Sequence, residues 1–176
     1  MNTFDIIIFR WLNSLVFWKD WIDAWIIFKA QFLGWWILGI LVILVIASRD
    51  KGKWFKVFFY AIVSGFLSRI LAEIIRFFYN RSRPFEVLEN INQLVFHSPG
   101  GSFPSGHSSF FFAIATGVFF FHRIWGIIFF GMALYMGIGR IEVGVHWPTD
   151  ILGGMLVGIL SAWIVQKISR KLKASR

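Results

Sequence analysis

Residues 105–138 read SGHSSFFFAIATGVFFFHRIWGIIFFGMALYMGI. Two apolar runs, Ser105–Phe121 and Ile124–Ile138, are parted only by His122-Arg123. Crossing about 30 Å of hydrocarbon takes about 20 mostly apolar residues. The stretch therefore predicts a helical hairpin inside a membrane. Working outward, Trp25–Ala47 is a further span, with Lys29 near one end where its stem can snorkel. Trp54–Phe78 is another and carries Arg69, Glu73 and Arg76 in its second half. Thr149–Val165 is the last, opened by Pro148 and closed by a basic tail. Residues 1–20 set Asp5, Arg10, Lys19 and Asp20 among apolar residues. This predicts an amphipathic helix lying in the interface, not a cleaved signal peptide, because there is no basic leading region or small-residue cleavage site. The expected fold is an all-α integral membrane bundle of about five transmembrane helices plus that N-terminal interfacial helix.

Composition agrees. Of 176 residues, 57% are hydrophobic and only 15% charged, against roughly 25% charged in an ordinary globular domain. A soluble particle of this size exposes too much of its area to hide 22 Phe and 10 Trp. Intrinsic disorder is excluded on the same ground. The formal charge of +9 suits anionic lipid or a phosphorylated substrate. Nucleic acid is a poor partner, since the basic residues lie between apolar runs and form no polar module. With no cysteine, disulfides, thiolate metal sites and a Cys nucleophile are ruled out.

Basic residues also orient the bundle. Arg49, Lys51, Lys53 and Lys56 fall in one loop, Arg123 in another, and Lys167, Arg170, Lys171, Lys173 and Arg176 in the tail. Five spans put these on one side, with Asp50 the only acid among them. The positive-inside rule makes that side, and the C-terminus, cytoplasmic. Nearly every residue capable of chemistry lies on the other side.

Three segments meet there. In the first, RFFYNRSRP (residues 76–84), Arg76 and Arg83 are two helical turns apart and offer forked donors to phosphate oxygens. Snorkelling at a span end is the plainer reading of such residues. Glu73 is a candidate to orient Arg76; it also stands four residues from Arg69, at ion-pair spacing. In the second, Pro104-Ser105-Gly106-His107, a helix start leaves backbone N–H groups of Ser105 and Gly106 free for an anion. The plainer reading is a Ser cap. In the third, GRIEVGVHWPTD (residues 139–150), Asp150 follows His146 by one helical turn. A carboxylate on one ring nitrogen fixes the tautomer and leaves the other nitrogen nucleophilic; alone, such a pair equally stabilises a helix start. Together, Arg76, Arg83 and Arg140, a glycine-bearing helix start and two histidines suit phosphoryl transfer. Zinc on two His and one Asp is disfavoured by the three arginines.

These segments resemble the three signature motifs of the type 2 phosphatidic acid phosphatase family, which includes lipid phosphatases, glucose 6-phosphatase and vanadium haloperoxidases. Arg83-Pro84, Pro104-Ser105-Gly106-His107, Arg140, His146 and Asp150 match at the family spacings. Arg76 stands where the family has Lys, and Gly139 where it has Ser. The resemblance implies a single membrane-embedded phosphatase domain over residues 1–176, with residues 76–150 holding the catalytic motifs. It further implies that His146 attacks phosphorus to form a phosphohistidine, that Asp150 orients it, and that His107 protonates the leaving oxygen and then activates water. Arg76, Arg83, Arg140, Ser105 and Gly106 would hold the phosphoryl oxygens, with no metal or cofactor. Haloperoxidase chemistry belongs to soluble members and does not suit this chain.

The expected substrate is a lipid phosphate in the inner (plasma) membrane of a bacterium, met at the periplasmic or exterior face. Undecaprenyl diphosphate ranks first, on the look of residues 83–85, 94–97 and 102–105; phosphatidylglycerol phosphate and the 1-phosphate of lipid A follow. A headgroup transferase would share the phosphohistidine. An anion transporter or channel is the alternative outside enzymology. His97 admits either a role at the headgroup or simple solvation, Glu86 and Glu142 either tuning of Arg83 and Arg140 or simple solvation, and oligomeric state is not legible.

Overall fold

The structure, a computed structural model, describes residues 2–174 without the Lys173 side chain. Of the basic tail, Arg176 and the Lys173 side chain thus lie outside the described residues.

Helix α1 (Thr3–Asn13) is capped by Asn2. Helix α2 (Asp20–Ile27) runs through one π-helical turn, Phe28–Phe32, into α3 (Leu33–Ala47). Together they make one apolar span, Asp20–Ala47. Helix α4 (Lys51–Phe78) starts at an Asp50 cap whose carboxylate accepts from the Lys53 amide. The short α5 (Pro84–Val87) sits in the loop after α4, α6 (Gly106–Phe119) and α7 (Arg123–Glu142) form the hairpin, and α8 (Pro148–Ala174) closes the bundle. Among the described residues, four helices are long and apolar enough to cross a membrane, and α6 is a shorter apolar helix. The chain is an integral membrane protein.

At 14 residues α6 is about 21 Å long, less than the hydrocarbon thickness. It tolerates this because it is the core: eleven of its residues are buried. Small residues let the neighbours close in, as in membrane helix pairs generally. A Cβ added to Gly154 would stand 2.6 Å from Ser105 O, and one on Gly117 2.8 Å from Ala61 Cα. On the other side Ile37, Leu41, Val57, Phe112, Ile114 and Phe129 fill the main apolar cluster. Large apolar side chains such as Trp35, Phe55, Phe66 and Leu156 point outward, as a lipid-facing surface requires.

Three expectations change in detail. The amphipathic N-terminal helix stops at Asn13, because the Asn13 side chain turns in to donate to Asn92 O and Glu142 O. Its inner face, Asp5, Phe9 and Leu12, is buried on the bundle, while Phe4, Ile7 and Trp11 are exposed. Helix α7 continues four residues past Ile138 and so carries Arg140 and Glu142 as helical residues. Lys29 does not snorkel. It is 6% exposed and ion-paired with Glu142 at 2.5 Å, over the Tyr135 ring, because the π turn rotates it inward.

Candidate active site

The three segments converge at the start of α6. Ser105 is its N-cap and is fully buried; its amide is not free for an anion as the sequence suggested but donates to Asp150 O, which ties the first turns of α6 and α8 together. Gly106 is required by close approach: a Cβ there would collide with Arg69 Nη1 and sit 3.1 Å from Arg76 Nη2. Arg76 is held at two points, Nε donating to Pro104 O at 3.0 Å and Nη1 to Glu73 at 3.0 Å, so Nη2 is left towards Gly106. A lysine at this position would send its three donors from a single nitrogen, whereas the arginine fork spreads them over separate atoms. Glu73 Oε1 also takes Arg69 Nη2 at 2.8 Å, so both sequence pairings of Glu73 are formed at once.

Arg83 is 3% exposed, and two backbone carbonyls aim its guanidinium: Nη1 donates to Val145 O at 2.9 Å and Nη2 to Gly101 O at 3.2 Å. Nη1 lies 3.4 Å from His146 Nε2. Glu86 does not pair with this guanidinium; it accepts from the Arg83 and Gly100 amides and so shapes the loop. Glu142 likewise goes to Lys29 and leaves Arg140 alone. Arg140 is buried, makes no ion pair or side-chain hydrogen bond among the described residues, and has an unpartnered Nε. Its charge acts on His146, and so do those of Arg83 and Arg76.

His146 is 1% exposed, with Nδ1 3.3 Å from Asp150 Oδ2. Asp150 also accepts from the Trp147 amide at 2.8 Å and from Arg81 at 2.9 Å. A carboxylate so engaged acts as an acceptor only, so Nδ1 carries the proton and Nε2 presents a lone pair. Burial first, then the Arg140, Arg83 and Arg76 charges, hold the His146 imidazole well below its ordinary value of 6.5, which keeps it neutral. His107, in the first turn of α6, feels Arg140, Arg69 and Arg76. The His97 ring stands 6.4 Å from that of His146, edge-on, with Nδ1 against Ser98 O; it belongs to the site's wall and is not merely a solvated loop residue.

Sequence reading missed Arg81, Asp5 and Thr149. Arg81 donates to Asp150 and Thr149 and pairs with Asp5 at 2.6 Å, while the Thr149 amide donates to Asp5 at 2.9 Å. The buried Asp5 thereby links α1 to the carboxylate behind His146. Arg81 lay inside a quoted motif and was available as a signal; nothing local marks Asp5, whose partners are 76 and 144 residues away. Gly139 also receives its reason. A Cβ there would stand 2.8 Å from Lys29 Cγ and 3.0 Å from Ala30 N, so the π turn occupies the space a serine would need.

The sequence model of the PAP2 superfamily matches residues 53–174. The chain belongs to that family. It is a membrane lipid phosphatase by that membership. It is 32% identical over 165 residues to the bacitracin transport permease protein BcrC of Bacillus licheniformis, covering 92% of this chain and 80% of that protein. It is 33% identical to the undecaprenyl-diphosphatase BcrC of Bacillus subtilis, over 65% of this chain and 58% of that one. Among solved structures, LpxE of Aquifex aeolicus superposes with a TM-score of 0.75 at 28% identity, covering 94% of this chain and 96% of the other. The PAP2-type phosphatidylglycerolphosphate phosphatase of Bacillus subtilis gives 0.70 at 25%, covering 99% and 88%.

Proposed function

We propose that this protein, acting through one membrane-embedded domain, hydrolyses a lipid diphosphate at the extracytoplasmic face by way of a phosphohistidine, undecaprenyl diphosphate being the substrate ranked first. The observation that carries the reading is Arg140: a buried guanidinium without a counter-ion among the described residues, acting on a neutral imidazole whose Nε2 faces the Arg83 guanidinium. A buried unpaired charge is costly, and a phosphoryl group placed among Arg76, Arg83 and Arg140 relieves that cost.

In the first step His146 Nε2 forms a bond to phosphorus as the bond to the leaving oxygen breaks. The leaving oxygen takes a proton from His107, and Asp150 stabilises the positive charge that develops on His146. The three arginines and the Gly106 amide hold the equatorial oxygens. In the second step water attacks phosphorus and gives a proton to His107, the N–P bond breaks with its electron pair returning to His146 Nε2, and inorganic phosphate leaves. The similarity to the undecaprenyl-diphosphatase of Bacillus subtilis supports the diphosphate; the fit to LpxE over nearly all of both chains supports a lipid A 1-phosphate as the second reading. The cytoplasmic C-terminus rests on the basic loops.

The test is a panel of lipid phosphates and diphosphates offered to the purified protein in excess chelator, with free phosphate as readout. His146→Ala should abolish turnover and leave the melting transition in detergent in place. An anion carrier would release no phosphate, and a transferase would require an acceptor alcohol. Near-native turnover by His146→Ala would remove the assignment.

A further inference from the structure

Two cavities flank the start of α6, and they differ in chemistry. One, of about 410 Å³, is lined by Glu73, Arg76, Arg83, His97 and Gly101. The other, of about 390 Å³, lies between α3, α4 and α6, and is lined by Gln31, Trp35, Leu38, Arg69, His107 and Phe110. Arg83 and His97 put the first beside the nucleophile His146. His107 puts the second on the leaving-group side. In-line displacement sends the leaving group away from the nucleophile, hence into the second, mostly apolar cavity.

Arg69 is out of place there unless it meets an anion. It lies nine residues inside the end of α4, about 13 Å along the axis. Its side chain is 45% exposed and that of Glu73 is 50% exposed. An ionised side chain within a membrane span is expensive and marks a functional site by default. Its guanidinium rests on Gly106, at the positive end of α6, near Arg76 Nη2. One carboxylate oxygen, Glu73 Oε1, serves both arginines. The local balance is positive, and it is positive on the leaving-group side.

Resting on the reading that His146 attacks opposite His107, we propose that Arg69 binds the phosphate that stays on the lipid, making this residue the selector of lipid diphosphates over lipid monophosphates. The apolar cavity around it takes the first part of the hydrocarbon chain. When the bridging P–O bond breaks and the His146 N–P bond forms, the bridging oxygen departs on the lipid monophosphate and takes a proton from His107. The negative charge of that departing monophosphate stands beside Arg69. A monophosphate substrate leaves as an alcohol and gives Arg69 nothing to bind.

The experiment compares diacylglycerol diphosphate with phosphatidic acid of the same acyl chains, using purified protein in detergent and free phosphate as readout. The quantity read is the ratio of kcat/KM, diphosphate over monophosphate. Arg69→Gln should lower that ratio about 10- to 100-fold, the loss expected for one charge-assisted hydrogen bond. Arg69→Lys, which keeps the charge and the Glu73 partner, should lower it less, and this variant decides the matter if Arg69→Gln does not fold. A parent protein that releases phosphate neither from these lipids nor from undecaprenyl diphosphate defeats the functional reading itself. A parent active on both lipids, with the ratio unmoved in the variants because both rates fall together or neither falls, overturns the Arg69 assignment alone. A parent active only on the monophosphate overturns both the Arg69 assignment and the diphosphate reading.

Discussion

At the scale of single residues, the site is a set of guanidiniums each held by a different device. Arg83 is fixed by the carbonyls of Val145 and Gly101, Arg76 by Pro104 O and Glu73, and Arg140 by packing alone. Carbonyl anchors aim a guanidinium without neutralising it, so the charge remains available to a phosphate. Arg140→Gln should lower kcat/KM by about 10²- to 10³-fold, as losing one transition-state donor does. It should not lower the melting temperature, because it removes an uncompensated charge. The same variant tests the pH dependence. His146 is held well below 6.5 by burial and by the arginines, so the folded protein stays neutral at this ring as the medium is acidified past 6.5, where an ordinary histidine takes a proton. The acid limb of kcat/KM that belongs to the nucleophile therefore lies below 6.5, and Arg140→Gln should move it upward. A downward shift, or a limb in the ordinary histidine range for the parent, contradicts the electrostatic account. The motif residues were legible at this scale because their spacing is local: Asp150 follows His146 by a turn. The partners of Glu86, Glu142 and Lys29 were not, since each depends on which loop or helix arrives beside it.

At the scale of elements, two features couple the periphery to the chemistry. The π turn in the first span brings Lys29 to Glu142 and presses Ala30 against Gly139. Helix α1 delivers Asp5 to Arg81 and Thr149, and through Arg81 to Asp150. An apolar periodicity shows that a helix exists and which face is greasy; it does not show where a one-residue register slip or a single buried carboxylate will land. Asp5→Asn keeps the shape and weakens acceptance from Arg81. It should cost about 1–3 kcal/mol of stability, the usual effect of leaving buried donors short of an acceptor. It should lower kcat more than it raises KM, because in the proposed mechanism Asp150 orients His146 and does not touch the lipid. A change confined to KM would place Asp5 outside this chain of contacts.

At the scale of the whole molecule, the short α6 at the centre sets the depth of the site. Its N-terminus starts below the end of α4, level with Arg69 and Arg76, so a polar headgroup reaches it while the hydrocarbon stays among helices. Orientation is testable on this chain because it has no cysteine. Ser98→Cys, in the outer loop beside His97, should react with a membrane-impermeant maleimide in intact cells. Gly52→Cys, in the basic loop at the start of α4, should react only after permeabilisation. The reverse pattern would turn the protein over.

Hydropathy alone established membrane residence, the helical bundle and the approximate ends of five spans, because partitioning into hydrocarbon is a property of each segment summed over its own residues. Local spacing likewise marked the His146–Asp150 pair, the Ser105 cap and the arginine-bearing segments. Side-chain reach across the bundle was decided only on folding. It left Arg140 without a counter-ion, sent Lys29 inward, joined Asp5 to Asp150 through Arg81, and divided the site into a polar and an apolar cavity. Those outcomes depend on distances between segments far apart in the chain, and such distances come into being only when the helices pack.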